Sequence, residues 1–171
     1  MSDNAQNPNE QNVPVFDIIR MYARDCSLET PNVPQIFQVE WKPEVKVDFD
    51  SKARPLGNDT FEVTLRVTVT CTVEKQTAYI CEVNQAGIFI AKNINQDGLE
   101  FLLNGAAPNI LFPYAREHIS TLIGRATFPQ LNLRPMNFEM MFQAQKAQQA
   151  QQEAAKQDVA NGAAKDEAPQ A

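Results

Sequence analysis

Residues 61–74 alternate without a break. Phe61, Val63, Leu65, Val67, Val69, Cys71 and Val73 share one parity; Glu62, Thr64, Arg66, Thr68, Thr70, Thr72 and Glu74 share the other. Successive side chains of a strand point to opposite faces. The run therefore predicts a strand with an apolar inner face and a threonine-rich solvated one, as in an antiparallel sheet covered on one side. Lys75 and Gln76 form a short connection, so Thr77 to Ala91 is read as the second arm of a hairpin. In that arm Tyr79, Cys81 and Val83 share one parity and Ile80 and Glu82 the other, and an unpaired carboxylate is costly to bury, so Glu82 is expected to face water or a partner.

The same reading extends upstream. Glu44 to Asp50 places Val45, Val47 and Phe49 opposite Lys46, Asp48 and Asp50, a half-buried strand, and Ser51 to Thr60 reads as a loop around Pro55, Gly57, Asn58 and Asp59. Val15 to Leu28 is rich in β-formers but alternates imperfectly, which fits a strand with a bulge or with two covered faces. Asp25 and Glu29 near its end are an even number of positions apart and share a face. Between these strands, Pro31, Pro34 and Pro43 exclude a helix or a central strand across Thr30 to Pro43, so that segment is an extended crossover. Its Phe37 and the single tryptophan, Trp41, either pin it to the core or wall a groove for apolar ligands.

Downstream the period changes. Asn93 to Gly98 reads as a polar link and Leu99 to Leu103 as a short apolar turn. Phe112, Ala115, Ile119, Leu122 and Ile123 then recur at helical spacing in a helix opened by Pro108 and Asn109 and stopped after Gly124, with Pro113 still in its first turns. Thr127 to Asn137 is a proline-broken connection. A second helix is expected from Met136 to about Gln152. Phe138, Met141 and Phe142 at its start make a soft apolar surface that either binds varied sequences or caps the core. The expected fold is α+β: a four-stranded antiparallel sheet followed by a long helix and a second C-terminal helix.

Composition narrows the chemistry. The 171 residues suit one domain, expected at 13–152 between disordered polar segments at 1–12 and 153–171. A formal net charge of -6 argues against nucleic acid as partner. No run reaches the ~18 apolar residues of a membrane helix, and the first residues carry no secretory signal, so the expected location is the cytoplasm without membrane insertion. Cys26, Cys71 and Cys81 show no CxxC spacing and are read as reduced structural thiols. With one histidine, His118, beside Glu117, and no phosphate-binding glycine motif, neither a catalytic constellation nor a metal or cofactor site is expected.

NILFPYAREHIS followed by GRATFPQLNLRPMNF closely resembles the bacterial protein-export chaperone family SecB, and so do the segments Thr30 to Pro43 and Cys81 to Phe89 (CEVNQAGIF). These separated blocks fall in the family's order and span most of Val15 to Phe142. The resemblance implies an ATP-independent holdase that keeps secretory precursors unfolded and delivers them to the SecA motor. It implies a homotetramer, a dimer of dimers, with strands paired between protomers and long helices packed between dimers. Asp25, Glu29, Ile80 and Glu82 match the family's docking surface for the basic zinc-binding tail of SecA. A client groove is expected at Phe37, Trp41, Val45, Val47, Phe138, Met141 and Phe142, and assembly contacts at Cys81, Val83, Phe112, Ala115, Ile119, Leu122 and Ile123. The alternative is a SecB-like chaperone dedicated to another partner, such as an antitoxin.

Overall fold

In the computed structural model of the protein, residues 12–163 are described, those of 154–163 by their backbone alone. The expected disordered segment at 1–12 lies outside the described residues except for Asn12, and 164–171 lie outside them as well. Strands β1 (Val15–Glu29), β2 (Pro43–Gly57), β3 (Thr60–Val73) and β4 (Gln76–Lys92) form one sheet in the order β1-β4-β3-β2. Every neighbouring pair is antiparallel. The imperfect alternation of β1 has its cause in irregularities between Ile18 and Arg20 and between Ala23 and Asp25. Each shifts the register by one residue and moves the following side chains to the other face.

Turn chemistry corrects the expected loop at Ser51–Thr60. β2 continues through Pro55 to Gly57, paired with β3 along its length, and the chain reverses over Asn58 and Asp59, both with positive φ (50° and 56°). Pro55 was the misleading signal: an edge strand tolerates a residue without a donor, and β2 is an edge. The β3–β4 turn uses Glu74 and Lys75, also at positive φ, one residue before the expected pair.

The inner face holds the core. Val63, Leu65, Val67, Val69, Cys71 and Val73 of β3 are at most 1% exposed, as the unbroken alternation required. The helical part starts earlier than expected. α1 (Gln96–Phe101) is capped by the Asn95 side chain, which accepts from the Gly98 N–H at 2.8 Å, and one π-helical turn at Leu102–Ala106 leads directly into α2 (Ala107–Arg125). The polar link and apolar turn expected over Asn93–Leu103 are thus mostly helix. Pro108 stands in the first turn of α2, as expected, but directly after the widened turn, which relieves the clash a proline ring makes with the carbonyl four residues back. Pro113, expected near a helix start, lies well inside.

α2 crosses β4 and β3. It comes close at Gly87, where a Cβ would meet the Phe89 ring at 2.8 Å and Leu111 at 3.1 Å. α3 (Phe138–Ala163) begins where Asn137 caps it by accepting from the Met140 N–H at 2.9 Å, two residues after the expected Met136. It also runs beyond Gln152 to Ala163, since Ala, Gln, Lys and Glu favour a helix without an apolar stripe.

This packing places most of the expected assembly residues inside the single chain. Cys81, Val83, Ala115, Ile119 and Ile123 are 0% exposed and Phe112 is 4% exposed, all in the core of the single chain; Leu122 packs against that core partly buried. The apolar stripe of α2 has its own sheet as partner, so it is not free for a second protomer.

Candidate functional site

The outer face of the sheet gathers the acidic residues. Directly opposed residues in antiparallel strands share a face. Glu29 lies opposite Ile80, Ser27 opposite Glu82, and Asp25 opposite Asn84. Asp25, Glu29, Ile80 and Glu82, distant in sequence, therefore stand together on neighbouring strands. Glu82 is half-buried and accepts from Thr68 Oγ1 and Asn84 Nδ2, each at 3.1 Å. Among the described residues no lysine or arginine pairs with Asp25, Glu29 or Glu82.

Further along the same face sits Glu62, read from parity as facing out yet only 6% exposed. Tyr22 Oη donates to it at 2.5 Å, while Arg54 Nη2 and Arg24 Nη1 reach its other oxygen at 2.8 and 3.4 Å. The tyrosine hydrogen bond, with the two guanidiniums, holds the Glu62 carboxyl below its ordinary range against the opposing effect of burial. Around this hub lies a cup of 640 Å3 whose wall includes Arg24, Asp25, Lys52, Arg54 and Arg66.

The aromatic surface lies on the inner side, along β2. Phe128 is 4% exposed and meets three rings: Phe37 at 5.0 Å, Trp41 at 5.7 Å and Tyr79 at 5.0 Å between centroids. Tyr79 and Val45 both oppose Cys71, so Val45 extends this patch across the sheet toward its edge. Phe37 is 47% exposed and Val45 41%, with Trp41 and Val47 half-buried. α2 lies over β4 and β3, leaving this end of β2 open. Trp41 thus pins the crossover to the core through Phe128, and Phe37 keeps one face exposed to solvent.

The expected groove does not stay whole. Phe138 is 5% exposed, in a ring triad with Phe49 (5.5 Å) and Phe112 (5.6 Å); it caps the core and is corrected from a groove wall to a core residue. Met141 (45% exposed) and half-buried Phe142 belong to a separate cleft of 480 Å3 between α3, β2 and α1. There Lys146 ties α3 to α1 through Glu100 at 2.5 Å and Asp97 at 3.4 Å. Sequence reasoning missed Phe128 and Glu62. An aromatic between a helix stop and a proline was the available signal for Phe128; nothing local marks Glu62, whose partners come from two other strands, β1 and β2.

Reactive chemistry is sparse. Burial pushes the Cys81 thiol up to about 11 and raises those of Cys71 and Cys26, away from thiolate chemistry at neutral pH. His118 Nδ1 lies 3.4 Å from exposed Glu117. Among the described residues no three His, Cys, Asp or Glu side chains group as metal ligands, and no helix is long and apolar enough to cross a membrane.

The fold is shared with a solved SecB-like chaperone from Mycobacterium tuberculosis, in complex with a ChAD peptide from the HigA1 antitoxin. The match has a TM-score of 0.57 and 17% identity, covering 71% of this chain and 91% of that one. A protein of unknown function from Streptococcus agalactiae matches more remotely, with a TM-score of 0.37 and 11% identity over 71% of this chain and 98% of that one. The model of the family described as SecB, preprotein translocase subunit, matches residues 9–149. With that match running from before β1 into α3, the chain belongs to the SecB family of chaperones.

Proposed function

We propose that the chain is a cytoplasmic, ATP-independent holdase that keeps secretory precursors unfolded and hands them to the SecA motor. The observation that supports this most is the grouping of Asp25, Glu29, Ile80 and Glu82 on one solvated face, with their carboxylates unpaired among the described residues. A basic tail laid there gains charge complementarity, which sets on-rate and register more than affinity. Unfolded clients use the other side, where Phe37, Trp41, Val45 and Val47 offer apolar area. Each contact is worth only about 25 cal/mol per Å2 buried. Several such patches on one homotetramer raise avidity without requiring a sequence. With the α2 stripe committed to the core, assembly falls to β1, an edge strand with Ile18 and Ile19 37% and 56% exposed.

The test is Glu82→Lys. It is expected to weaken SecA binding about tenfold at low salt while leaving capture of an unfolded precursor unchanged; unaltered SecA affinity would remove the docking role. A second reading, a SecB-like chaperone dedicated to an antitoxin, is favoured by the antitoxin peptide in the mycobacterial neighbour. In that case Glu82→Lys leaves the activity untouched, and the client specificity is narrow.

A further inference from the structure

β2 is the edge of the sheet opposite β1, and the pairing of its neighbours decides which of its backbone groups are free. The Ala91 N–H donates to the Asp59 carbonyl at 2.8 Å, so Asp59 faces β4. Backbone groups point to alternate sides along an antiparallel strand, and the pairing of β3 with β4 runs without a shift from Thr60 to Cys71. Phe61 and every second residue through Cys71 therefore turn their N–H and C=O toward β4. Their partners on β2, from Pro55 back to Val45, stand in pairs that exchange no backbone hydrogen bond and turn theirs away from the sheet. The prolines agree. Pro43 and Pro55 share this parity, where a missing donor leaves the ladder to β3 intact, and they close the edge at both ends. Between them Val45, Val47, Phe49, Ser51 and Ala53 present backbone donors and acceptors that have no partner among the described residues.

We infer that this edge takes an extended segment of an unfolded client as an added antiparallel strand, so that the client is held by its backbone as well as by its side chains. The inference rests on the client capture proposed above and states how the client is held. Directly opposed residues share a face. Client side chains opposite Val45, Val47 and Phe49 thus join the apolar inner face, and the alternate ones meet the charged row of Glu44, Lys46, Asp48 and Asp50. What is selected is an apolar residue at every second position, with no further sequence. β2 leads from the patch at Val45 and Val47 to Phe49 and Ser51, which line the 480 Å3 cleft with Met141 and Phe142, so one added strand spans both surfaces. Beside it the Ser51 Oγ is buried without a hydrogen-bond partner among the described residues. A second copy of the chain fits the edge less well. Antiparallel pairing of the whole window sets Lys46 against Lys52 and Asp48 against Asp50, with Glu44 and Arg54 as the one favourable pair. Like charges directly opposite each other destabilise a ladder.

Fluorescent synthetic peptides that alternate valine and threonine between terminal lysines test this by anisotropy on the full chain at physiological salt. One carries N-methyl groups on two valines, a second on two threonines, and a third carries none. A segment with its valines on the inner face turns the valine N–H groups toward β2 and the threonine N–H groups away. The valine-methylated peptide is expected to bind about tenfold more weakly, for two lost hydrogen bonds, and the threonine-methylated one like the unmodified peptide. On the protein side, Val47→Pro removes one outward donor and spares the ladder to β3. It is expected to bind the unmodified peptide about fivefold more weakly than Val47→Ala, which loses the side chain and keeps the donor. Ala53→Pro against the unaltered chain gives the same comparison if Val47→Pro harms folding, as judged by circular dichroism. Equal affinity for all three peptides, or weakening by threonine methylation, overturns the inference, and client capture stands as long as an unfolded precursor is still bound. A peptide that fails to bind while the precursor is captured also overturns the inference alone; loss of both overturns both. Oligomers that Val47→Pro dissolves in native mass spectrometry assign the edge to a second copy and overturn it as well.

Discussion

Glu62 and Glu82 sit on the same face of one sheet and do opposite things. Glu62 is closed in by Tyr22, Arg24 and Arg54, whereas Glu82 meets, among the described residues, the neutral donors Thr68 and Asn84. Glu62→Gln removes a charge from beneath two arginines and is expected to cost about 1–3 kcal/mol in urea unfolding at neutral pH. Its folded-state carboxyl is held below the ordinary value. The stabilisation is therefore fully present above the usual glutamate range and lost as pH falls through the lowered folded value. A difference between wild type and variant that stays flat into acid would remove this linkage. The rings at the crossover separate in the same way. Phe128→Ala, in a 4% exposed position, is expected to cost about 3 kcal/mol of stability. Phe37→Ala, in a 47% exposed position, is expected to cost under about 1 kcal/mol yet to weaken capture of an unfolded client. Equal destabilisation by the two would make Phe37 part of the core.

At the scale of elements, the contact between α2 and β4 depends on the absence of a side chain at Gly87. Gly87→Ala puts a Cβ against the Phe89 ring and Leu111 and is expected to destabilise by about 1–3 kcal/mol, read from the thermal midpoint. An unchanged midpoint would mean that α2 can shift freely over the sheet. Gly105 has the corresponding place under α3, with Glu139 Cα 3.1 Å from where a Cβ would stand. The helix pattern from Phe112 to Ile123 was legible because its stripe packs on its own sheet. The helical run before it was not: Pro108 carries a strong local stop signal, and one π-helical turn absorbs it. Ser51–Gly57 was misread for a related reason, since the meaning of Pro55 depends on whether its strand lies at an edge.

For the whole molecule, the consequence is which surfaces remain for partners. A helix stripe that looks ready for another protomer is consumed within the chain, and the exposed apolar positions move to β1, where Val15, Ile18 and Ile19 are 37%, 37% and 56% exposed. Under the proposed function, Ile19→Arg is expected to shift the proposed tetramer toward smaller species in light-scattering chromatography while the circular dichroism spectrum is retained. Assembly indifferent to that change would place the protomer contacts elsewhere. The two faces of the sheet carry different work under the proposed function: charge on the outer, aromatic area on the inner. Under that proposal, a single sheet keeps motor docking and client capture apart.

What the sequence alone determined is local and periodic. The unbroken alternation of β3 named its buried side chains, parity put Asp25 with Glu29 and Ile80 with Glu82, and the spaced motifs led to the family. Only the tertiary structure decided what a periodic pattern touches. It turned the α2 stripe inward, took Phe138 into a ring triad, and brought Tyr22, Arg24, Arg54 and Glu62 together from three strands. The physical reason is that period fixes which side chains share a face, whereas burial and pairing depend on strand order, register and the element that covers that face.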